Sequence, residues 1–257
     1  MGDEGRFLLP ADLTTALLSR TLISLGPLCP VTPETVRDLT VGDRDALLLH
    51  LRRAALGDKI ACVLRCPDSS CGEVMDLDLS ISDMLAQPYS HERRIHEVVI
   101  DDEGTKCTVR FRLPSGGDQE AAARLALAGS LEQARDSLLD RCVENVASNG
   151  NGDMRDRTRQ ALARHLPATM LELDPQAEIR LNMNCSRCGR SFSLLFDPAT
   201  HFFEELSGTL DQLYHEVHLL AQYYHWTEAE ILGLSNHRRR RYVEQVVEAG
   251  RRGRGPQ

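Results

Sequence analysis

Two short stretches, Cys66-Pro67-Asp68-Ser69-Ser70-Cys71-Gly72 and Cys185-Ser186-Arg187-Cys188-Gly189, decide the fold of this 257-residue chain. Each stretch interrupts a segment in which apolar and polar residues alternate, residues 60–80 and residues 178–196. Alternation with a period of two is typical of half-buried strands, so each stretch is predicted to form the tip of a β-hairpin. The order strand, cysteine pair with glycine, strand therefore occurs twice, and each time it follows helical sequence.

The paired cysteines have the spacing of zinc knuckles. A knuckle presents two thiolates on a tight turn, and a glycine after the second cysteine lets backbone N–H groups face the sulfurs. We therefore predict one structural Zn²⁺ per chain, held by both hairpins through Cys66, Cys71, Cys185 and Cys188. Because 113 residues separate Cys71 from Cys185, such an ion would close a long loop and stabilise the whole fold. Four sulfurs would leave no open position for a catalytic water.

Two other interpretations of the cysteine pairs stay open. They could be reduced cysteines that bind no metal. Alternatively, Cys185 and Cys188 could form a thioredoxin-type redox motif, although this pair lies between strands and not at the start of a helix. The cysteines that stand alone within strand-like or helical stretches are predicted to be small buried hydrophobic residues: Cys62, Cys107 and Cys142.

Capping residues, glycine and proline predict where the helices begin and end. Helices are predicted over residues 12–24, from Pro33, from Thr40 to Gly57, over 118–128, from Ser130 to 146, over 154–166 and 167–173, and after Asp197, Thr227 and Ser235. A further hairpin is predicted over residues 95–113, around Asp102-Glu103-Gly104. The helix from Thr40 is predicted to pack through one apolar face, made of Leu47, Leu48, Leu51, Ala54 and Ala55.

These patterns define an α+β fold, a helical domain with two β-hairpins whose cysteine knuckles form a split zinc-ribbon-like four-cysteine site. We predict a single domain over residues 1–257. Its parts are an N-terminal helical arm (1–30), helices with the zinc-linked hairpins (31–196), a C-terminal helical part (197–250) and a disordered basic tail (251–257).

The charge of the chain disfavours bulk affinity for nucleic acid, because 30 basic against 38 acidic residues give a net charge of −8. The charge is uneven, since seven Arg and two Glu from Ser235 onward give +5 and leave −13 for the rest. No apolar run approaches the ~18 residues of a membrane span, and the N-terminal sequence lacks the features of a signal peptide. We expect neither membrane insertion nor export.

No constellation of catalytic residues is recognisable in the sequence. His91 and His96 are five residues apart and cannot share a helix face in the way that zinc proteases require. His215 and His218, three apart on a predicted helix, could bind a metal, but the nearby Tyr223-Tyr224-His225-Trp226 favours an aromatic packing face. We therefore predict that the protein is not an enzyme, and a metalloenzyme is the weakest alternative.

The order of several further segments is informative. They are the segment Leu39-Thr40-Val41-Gly42-Asp43-Arg44-Asp45-Ala46-Leu47-Leu48-Leu49, the segment Phe111-Arg112-Leu113-Pro114-Ser115-Gly116, the segment Leu173-Asp174-Pro175-Gln176-Ala177, the two cysteine pairs, and the segment Tyr224-His225-Trp226-Thr227-Glu228-Ala229-Glu230-Ile231-Leu232. Over residues 35–245 this order resembles the baseplate hub assembly chaperone family of T-even-type contractile phage tails, whose relatives are encoded with phage-tail-like contractile injection systems. The family usually has a short Cys-Pro-x-Cys-Gly first knuckle, whereas this chain has two extra residues between Cys66 and Cys71.

The resemblance implies a non-enzymatic, chaperone-like assembly factor for the baseplate hub, which acts in the bacterial cytoplasm during assembly of the tail or particle. Its implied partners are baseplate or hub proteins. The alternative is a zinc-ribbon nucleic-acid-binding protein, suggested by the knuckles and by Arg238-Arg239-Arg240-Arg241. The acidic balance of the chain and the scarcity of aromatic residues near the knuckles disfavour this alternative.

The aromatic residues point to a surface for such partners. Six of the twelve Phe, Tyr and Trp residues lie between Phe202 and Trp226. Exposed aromatic residues are common anchors of protein interfaces, although a fully buried cluster is the plainer interpretation. The main protein-binding surface is therefore predicted within residues 197–245.

Overall fold

The computed structural model describes residues 9–86, 95–102, 105–148 and 155–252. Within these ranges the helices are α1 (Pro10–Thr21), α2 (Pro33–Asp38), α3 (Val41–Leu56), α4 (Ile81–Met84), α5 (Gly116–Leu127), α6 (Leu131–Cys142), α7 (Arg155–Leu173), α8 (Pro198–Tyr224), α9 (Glu228–Leu232) and α10 (Asn236–Arg252). The strands are β1 (Lys59–Arg65), β2 (Val74–Ser80), β3 (His96–Asp102), β4 (Thr105–Phe111), β5 (Val143–Ser148), β6 (Ile179–Asn184) and β7 (Ser191–Phe196), and a 3₁₀ turn occupies Pro175–Ala177.

The chain forms two compact units, residues 1–200 and residues 201–257. The predicted turn residues Glu103 and Gly104, the helix start at Met154, and residues 253–257 of the predicted tail lie outside the described residues. The mixture of helices with small antiparallel sheets confirms the predicted combination of helical and strand structure.

The first unit contains three small antiparallel sheets, with strand orders β1-β2, β3-β4-β5 and β6-β7. Both cysteine hairpins form as predicted. Their registers pair Ile60 with Leu79 in the first hairpin and Leu181 with Leu194 in the second. The alternating apolar residues of each pair therefore share one face of the sheet. These two hairpins pack together with α3 and α4 through a small core that includes Leu49, Ile60, Ile81 and Ile179.

A larger core cluster lies against the three-stranded sheet. It joins the inner faces of β3 and β4 to α6 and α7, and its buried members are Ile100, Cys107, Val109, Phe111, Leu113, Cys142, Ala161, Leu166 and Met170. Cys107 and Cys142 are thus buried as predicted, whereas Cys62 is only half-buried.

The helix predicted from Ser130 to residue 146 is wrong in its last residues, which form strand β5. The helix ends at Cys142, and the following residues pair with β4, with Val146 opposite Val109 and Val143 opposite Phe111. A register shift between Arg110 and Phe111 lets both valines pack against the core, although they are three residues apart. Tertiary pairing therefore overrides a helical pattern that continued smoothly in the sequence.

Five of the predicted helix starts are confirmed by hydrogen bonds at their caps, whereas the helices predicted over 12–24 and 118–128 span Pro10–Thr21 and Gly116–Leu127. In each of the five a side-chain oxygen accepts a backbone N–H from the first turn, at Thr32, Thr40, Ser130, Asp197 and Thr227. Gly57 ends α3 with φ 92°, in the left-handed region that favours glycine.

Helix α3 has the predicted bounds but buries a different face. Its buried side chains include Arg44, Asp45, Leu48, Leu49 and Arg52. The predicted face is wrong, because the last two of its five residues are exposed and two others are half-buried. The buried face of α3 is therefore partly polar.

Hydrogen bonds account for part of the burial of two arginines, since Nε and Nη1 of Arg44 have no hydrogen-bond partner among the described residues. Nη2 of Arg44 donates to the carbonyl oxygen of Ala11 at 2.7 Å and to Oγ1 of Thr15 at 2.9 Å. Nη1 of Arg52 donates to the carbonyl oxygens of Gly57 at 2.6 Å and Lys59 at 2.7 Å. Buried charges are tolerated when such bonds replace those to water.

Asp45, on the same buried face, gives a pH-dependent prediction. Burial, together with the charge of Asp197, raises the pKa of Asp45 to about 8. An unfolded Asp titrates near ~3.9, so between about pH 4 and pH 8 the folded chain keeps a proton that the unfolded chain has lost. The free energy of unfolding therefore falls as pH rises through this window.

We expect Asp45→Asn to remove this contribution, so that the stability difference between the two proteins changes by about 1 kcal/mol per pH unit from pH 5 to pH 7. Urea unfolding at pH 5, 6 and 7 measures the effect. Asp76→Asn, on the exposed side of β2, is the control. Parallel pH profiles for the wild-type chain and Asp45→Asn would contradict the prediction.

The second unit contains α9, α10 and most of α8. Trp226 stacks on Tyr224 with ring centroids 4.8 Å apart, and the ring of Tyr242 meets Trp226 edge-on at 5.0 Å. A buried ion pair joins α10 to α8, with Nε of Arg239 2.7 Å from Oε2 of Glu216. Aromatic packing and this pair therefore hold the last helix of the chain in place.

Candidate metal centre

The structure brings the four predicted ligands together. Cys66 and Cys71 follow β1, and Cys185 and Cys188 follow β6, so each pair lies at its hairpin tip. The four Sγ atoms all lie within 4.8 Å of one another. The Sγ atom of Cys66 is 3.8 Å from that of Cys188, and the Sγ atom of Cys71 is 3.8 Å from that of Cys185. Two short sulfur–sulfur contacts therefore cross between the hairpins.

The second knuckle is a tight turn closed by backbone hydrogen bonds. The N–H of Cys185 donates to the carbonyl of Arg190 at 2.9 Å, and the N–H of Gly189 donates to the carbonyl of Cys185 at 3.0 Å. Gly189 has φ 71°, which side-chain-bearing residues rarely adopt. The backbone N–H groups of Cys188 and Arg187 face the Cys185 sulfur and lower the pKa of its thiol to about 7.

The first knuckle accommodates its two extra residues without changing this closure. The N–H of Cys66 donates to the carbonyl of Glu73 at 2.8 Å, and the N–H of Gly72 donates to the carbonyl of Asp68 at 3.0 Å. Oδ1 of Asp68 accepts hydrogen bonds from the N–H of Ser70 at 2.9 Å and from its hydroxyl at 2.6 Å. This local turn holds the longer loop, and Gly72 again has a positive φ of 59°.

Apolar side chains cover the inner side of the cluster. Cys66 and Cys185 are buried together with Met75, and Phe192 packs against the same group. Cys188 is exposed to solvent. The cluster therefore lies at the edge of the unit, sealed by the two hairpins on one side and reachable from the other.

Two ion pairs between the knuckles were not foreseen from the sequence. Arg187 lies 3.4 Å from Glu73, and Arg190 lies 3.4 Å from Asp68. The signal was present in the sequence, because residues 66–73 carry only acidic charges and residues 185–190 only basic ones. Exposed pairs of this kind contribute about 0–1 kcal/mol each, so they orient the tips more than they stabilise them.

The spacing of the four sulfurs fits a single metal ion. Sulfurs placed ~2.3 Å from a central ion at the corners of a tetrahedron lie about 3.8 Å apart. Without an ion the thiols compete for protons. A hydrogen bond from the N–H of Asp68 lowers the pKa of Cys66, but burial and the sulfurs of Cys185, Cys188 and Cys71 outweigh it and raise this pKa to about 12. A bound cation would favour the thiolate form of every ligand.

The cysteine cluster contains no histidine among the described residues. His215 and His218 are both exposed on α8, and the aromatic packing predicted for this region is formed by Tyr224 with Trp226. His91 lies outside the described residues, so the expectation that it shares no helix face with His96 stays a prediction.

The fold and the site together define the class of this protein. It is a mixed helical and strand protein with a candidate metal centre, in which two antiparallel hairpins bring four cysteines together. The family model described as T4 bacteriophage base plate protein matches residues 21–204, which include all four cysteines. The match covers more than half of the chain, and the chain therefore belongs to this family. Comparison with curated proteins and with solved structures gave no match.

Membership in this family confirms the resemblance to phage baseplate proteins and supports a baseplate-associated role. In the part of the chain that the structure describes, no helix has both the length and the apolar character needed to cross a membrane.

Proposed function

We propose that this chain is a non-enzymatic, chaperone-like assembly factor for the baseplate hub of a contractile phage tail or a phage-tail-like injection system. The observation that carries the proposal is membership in the base plate family over residues 21–204. Its place of action is the bacterial cytoplasm during particle assembly, and its partners are baseplate or hub proteins.

The metal in the proposed function is one structural Zn²⁺ per chain. All four donors are thiols within 4.8 Å of one another, and an all-sulfur tetrahedral set is typical of structural zinc. Because 113 residues of the chain separate the two knuckles, zinc would hold two distant hairpins in one arrangement. With its four ligand positions filled by protein, the ion would stabilise the fold and take no part in a reaction.

The proposed client-binding surface lies within residues 197–245. Tyr223 exposes 52% of its surface, and its ring meets that of Tyr224 edge-on at 5.1 Å. The ring of Tyr224 in turn stacks on Trp226. An exposed aromatic side chain that its neighbours hold in place loses little conformational entropy on binding, and such residues are common interface anchors.

Basic side chains lie close to this aromatic series. Arg238 and Arg241 line a small cavity of about 190 Å³ together with Tyr242, whose ring meets that of Tyr224 at 5.7 Å. A positive surface of this kind attracts acidic partners and raises the rate of association more than the final affinity. The proposed client therefore presents an apolar pocket for Tyr223 beside acidic residues.

We expect Tyr223→Ala to weaken capture of baseplate proteins by about 30-fold, because loss of an interface anchor costs about 2 kcal/mol or more. The measurement is co-purification of the tagged chain with baseplate proteins expressed in the native host. Leu131→Ala is the matched control, since Leu131 is an exposed apolar residue in the first unit.

Circular dichroism should show that Tyr223→Ala and the control both retain the wild-type fold. Undiminished capture by Tyr223→Ala would place the binding surface elsewhere. Failure of the wild-type chain to retain any baseplate protein would reject the assembly function itself.

A further inference from the structure

A basic cleft of about 610 Å³ lies in the first unit, away from the cysteine cluster. It is lined by α2, the connection between β4 and α5, the first turn of α5, and α6. Three arginines from three of these segments line it: Arg37, Arg112 and Arg141. The lining contains two carboxylates, Asp38 and Asp118, so its arginines outnumber its carboxylates by one. Arg37 is in addition paired with Glu120.

Asp118 fixes two of these arginines. Its side chain is fully buried, and its Oδ1 atom accepts from Nη2 of Arg112 at 3.1 Å and from Nε of Arg141 at 2.7 Å. Oδ2 of Asp118 accepts from Nη1 of Arg112 at 2.5 Å and from the N–H of Ser115 at 2.9 Å. Both oxygens of the carboxylate thus accept hydrogen bonds, and these bonds keep the two guanidinium groups in one orientation.

These bonds also keep Asp118 ionised. Burial alone would raise its pKa, but the hydrogen bonds from Arg112, Ser115 and Arg141 outweigh burial and hold the pKa below its usual range. The carboxylate of Asp118 is therefore ionised at neutral pH and keeps its hydrogen bonds to Arg112 and Arg141.

Two arginines keep donors for a ligand. Arg141 binds Asp118 through Nε, and its side chain is 48% exposed. Arg37 binds Glu120 through Nε at 3.0 Å, lies 3.8 Å from Glu34 through Nη1 and is 42% exposed. Arg141 holds its inner nitrogen in the fold and turns the planar outer end of its guanidinium toward solvent, which is the geometry that recognises a carboxylate through two parallel hydrogen bonds. Arg37 adds a second donor beside it, through Nη2.

We infer that this cleft binds a carboxylate carried by a protein segment, either an acidic side chain or a chain terminus. Its volume lies in the range of clefts that enclose small ligands. Asp118 preorganises the guanidinium groups of Arg112 and Arg141, and Glu120 holds that of Arg37. The net charge of −8 on the whole chain disfavours an extended polyanion such as nucleic acid, whose binding depends on many basic contacts. The inference does not depend on the proposed assembly function.

The test uses the full chain and a fluorescein-labelled peptide of six glutamates, prepared with a free or an amidated C-terminus. Fluorescence polarisation at 50 mM and 150 mM salt measures its affinity. We expect saturable binding that weakens by about tenfold or more in Arg141→Gln, because a charge-assisted hydrogen-bond pair is lost. Arg37→Gln should act in the same direction. The free and amidated peptides show whether the terminal carboxylate or the side chains are bound.

Arg159→Gln is the control, because Arg159 is an equally exposed arginine that pairs with Asp140 on the surface. Its affinity for the peptide should equal that of the wild-type chain. Thermal unfolding shows that each variant is folded, and Arg37→Gln keeps the test valid should Arg141→Gln unfold. Equal peptide affinity in the wild-type, Arg37→Gln and Arg141→Gln chains would overturn the inference. Tighter binding of a six-nucleotide single-stranded DNA than of the peptide would also overturn it.

Discussion

Replacing Cys188 with serine should abolish metal binding and destabilise the unit that contains both hairpins. The Cys188 sulfur lies 3.8 Å from that of Cys66 on the opposite hairpin, so its loss opens the proposed zinc site where the two hairpins meet. Structural zinc contributes about 10 kcal/mol or more in small isolated fingers. In a unit with its own apolar core we expect a smaller loss of about 4–5 kcal/mol, which is the upper end of single-residue effects.

Elemental analysis should find one zinc per wild-type chain and none in Cys188→Ser. Thermal unfolding should show a melting temperature lower by about 10 °C or more. Cys29→Ser is the matched control, because Cys29 is an exposed cysteine outside the cluster, and it should leave both values unchanged. An unaltered melting temperature in a zinc-free Cys188→Ser protein would reject a stabilising role, and a wild-type chain without metal would reject the zinc site.

Replacing Gly42 with alanine should destabilise the first unit by about 3 kcal/mol. A Cβ atom at position 42 would lie 1.8 Å from Oδ1 of Asp174 and 2.9 Å from the backbone nitrogen of Ala177. Asp174 is buried, and its Oδ2 accepts the N–H of Gly42 at 3.0 Å. The added methyl group would displace this carboxylate and the 3₁₀ turn behind it, and overpacking of this kind costs about 1–3 kcal/mol before the lost hydrogen bond is counted.

Gly208→Ala is the control for this prediction. Gly208 lies within α8, and a Cβ atom there would meet nothing within 4 Å. Alanine should therefore stabilise the helix slightly, by about 0.5–1 kcal/mol. Guanidinium unfolding of both variants compares the two glycines directly. Equal stability of Gly42→Ala and the wild-type chain would contradict the prediction, because it would mean that the turn at Asp174 shifts at no cost to make room for the methyl group.

Family membership and the cysteine centre answer different questions about this protein. Membership in the base plate family supports the biological setting. The centre concerns the architecture, because its four thiols come from two hairpins that are distant in the chain. The assembly role and the basic cleft are testable separately, since the first requires baseplate proteins and the second only a peptide.

The sequence by itself determined the local structure around the candidate site. Both hairpins, the glycine after each cysteine pair and the helix caps at Thr40 and Thr227 were predictable, because each depends on residues within a few positions along the chain. The four-cysteine cluster was predictable for a related reason. Two knuckles with matching chemistry have few partners other than each other.

Tertiary structure alone decided the features that depend on distant neighbours. Arg44 is buried because Ala11 and Thr15 supply acceptors from another helix, and no periodicity in α3 encodes those acceptors. Residues 143–148 form a strand because β4 offers an open edge. The basic cleft exists because Asp118 binds Arg141 of α6 and Arg112 of the connection between β4 and α5. Hydrogen-bond partners far apart in sequence leave no local pattern, and only the folded chain brings them together.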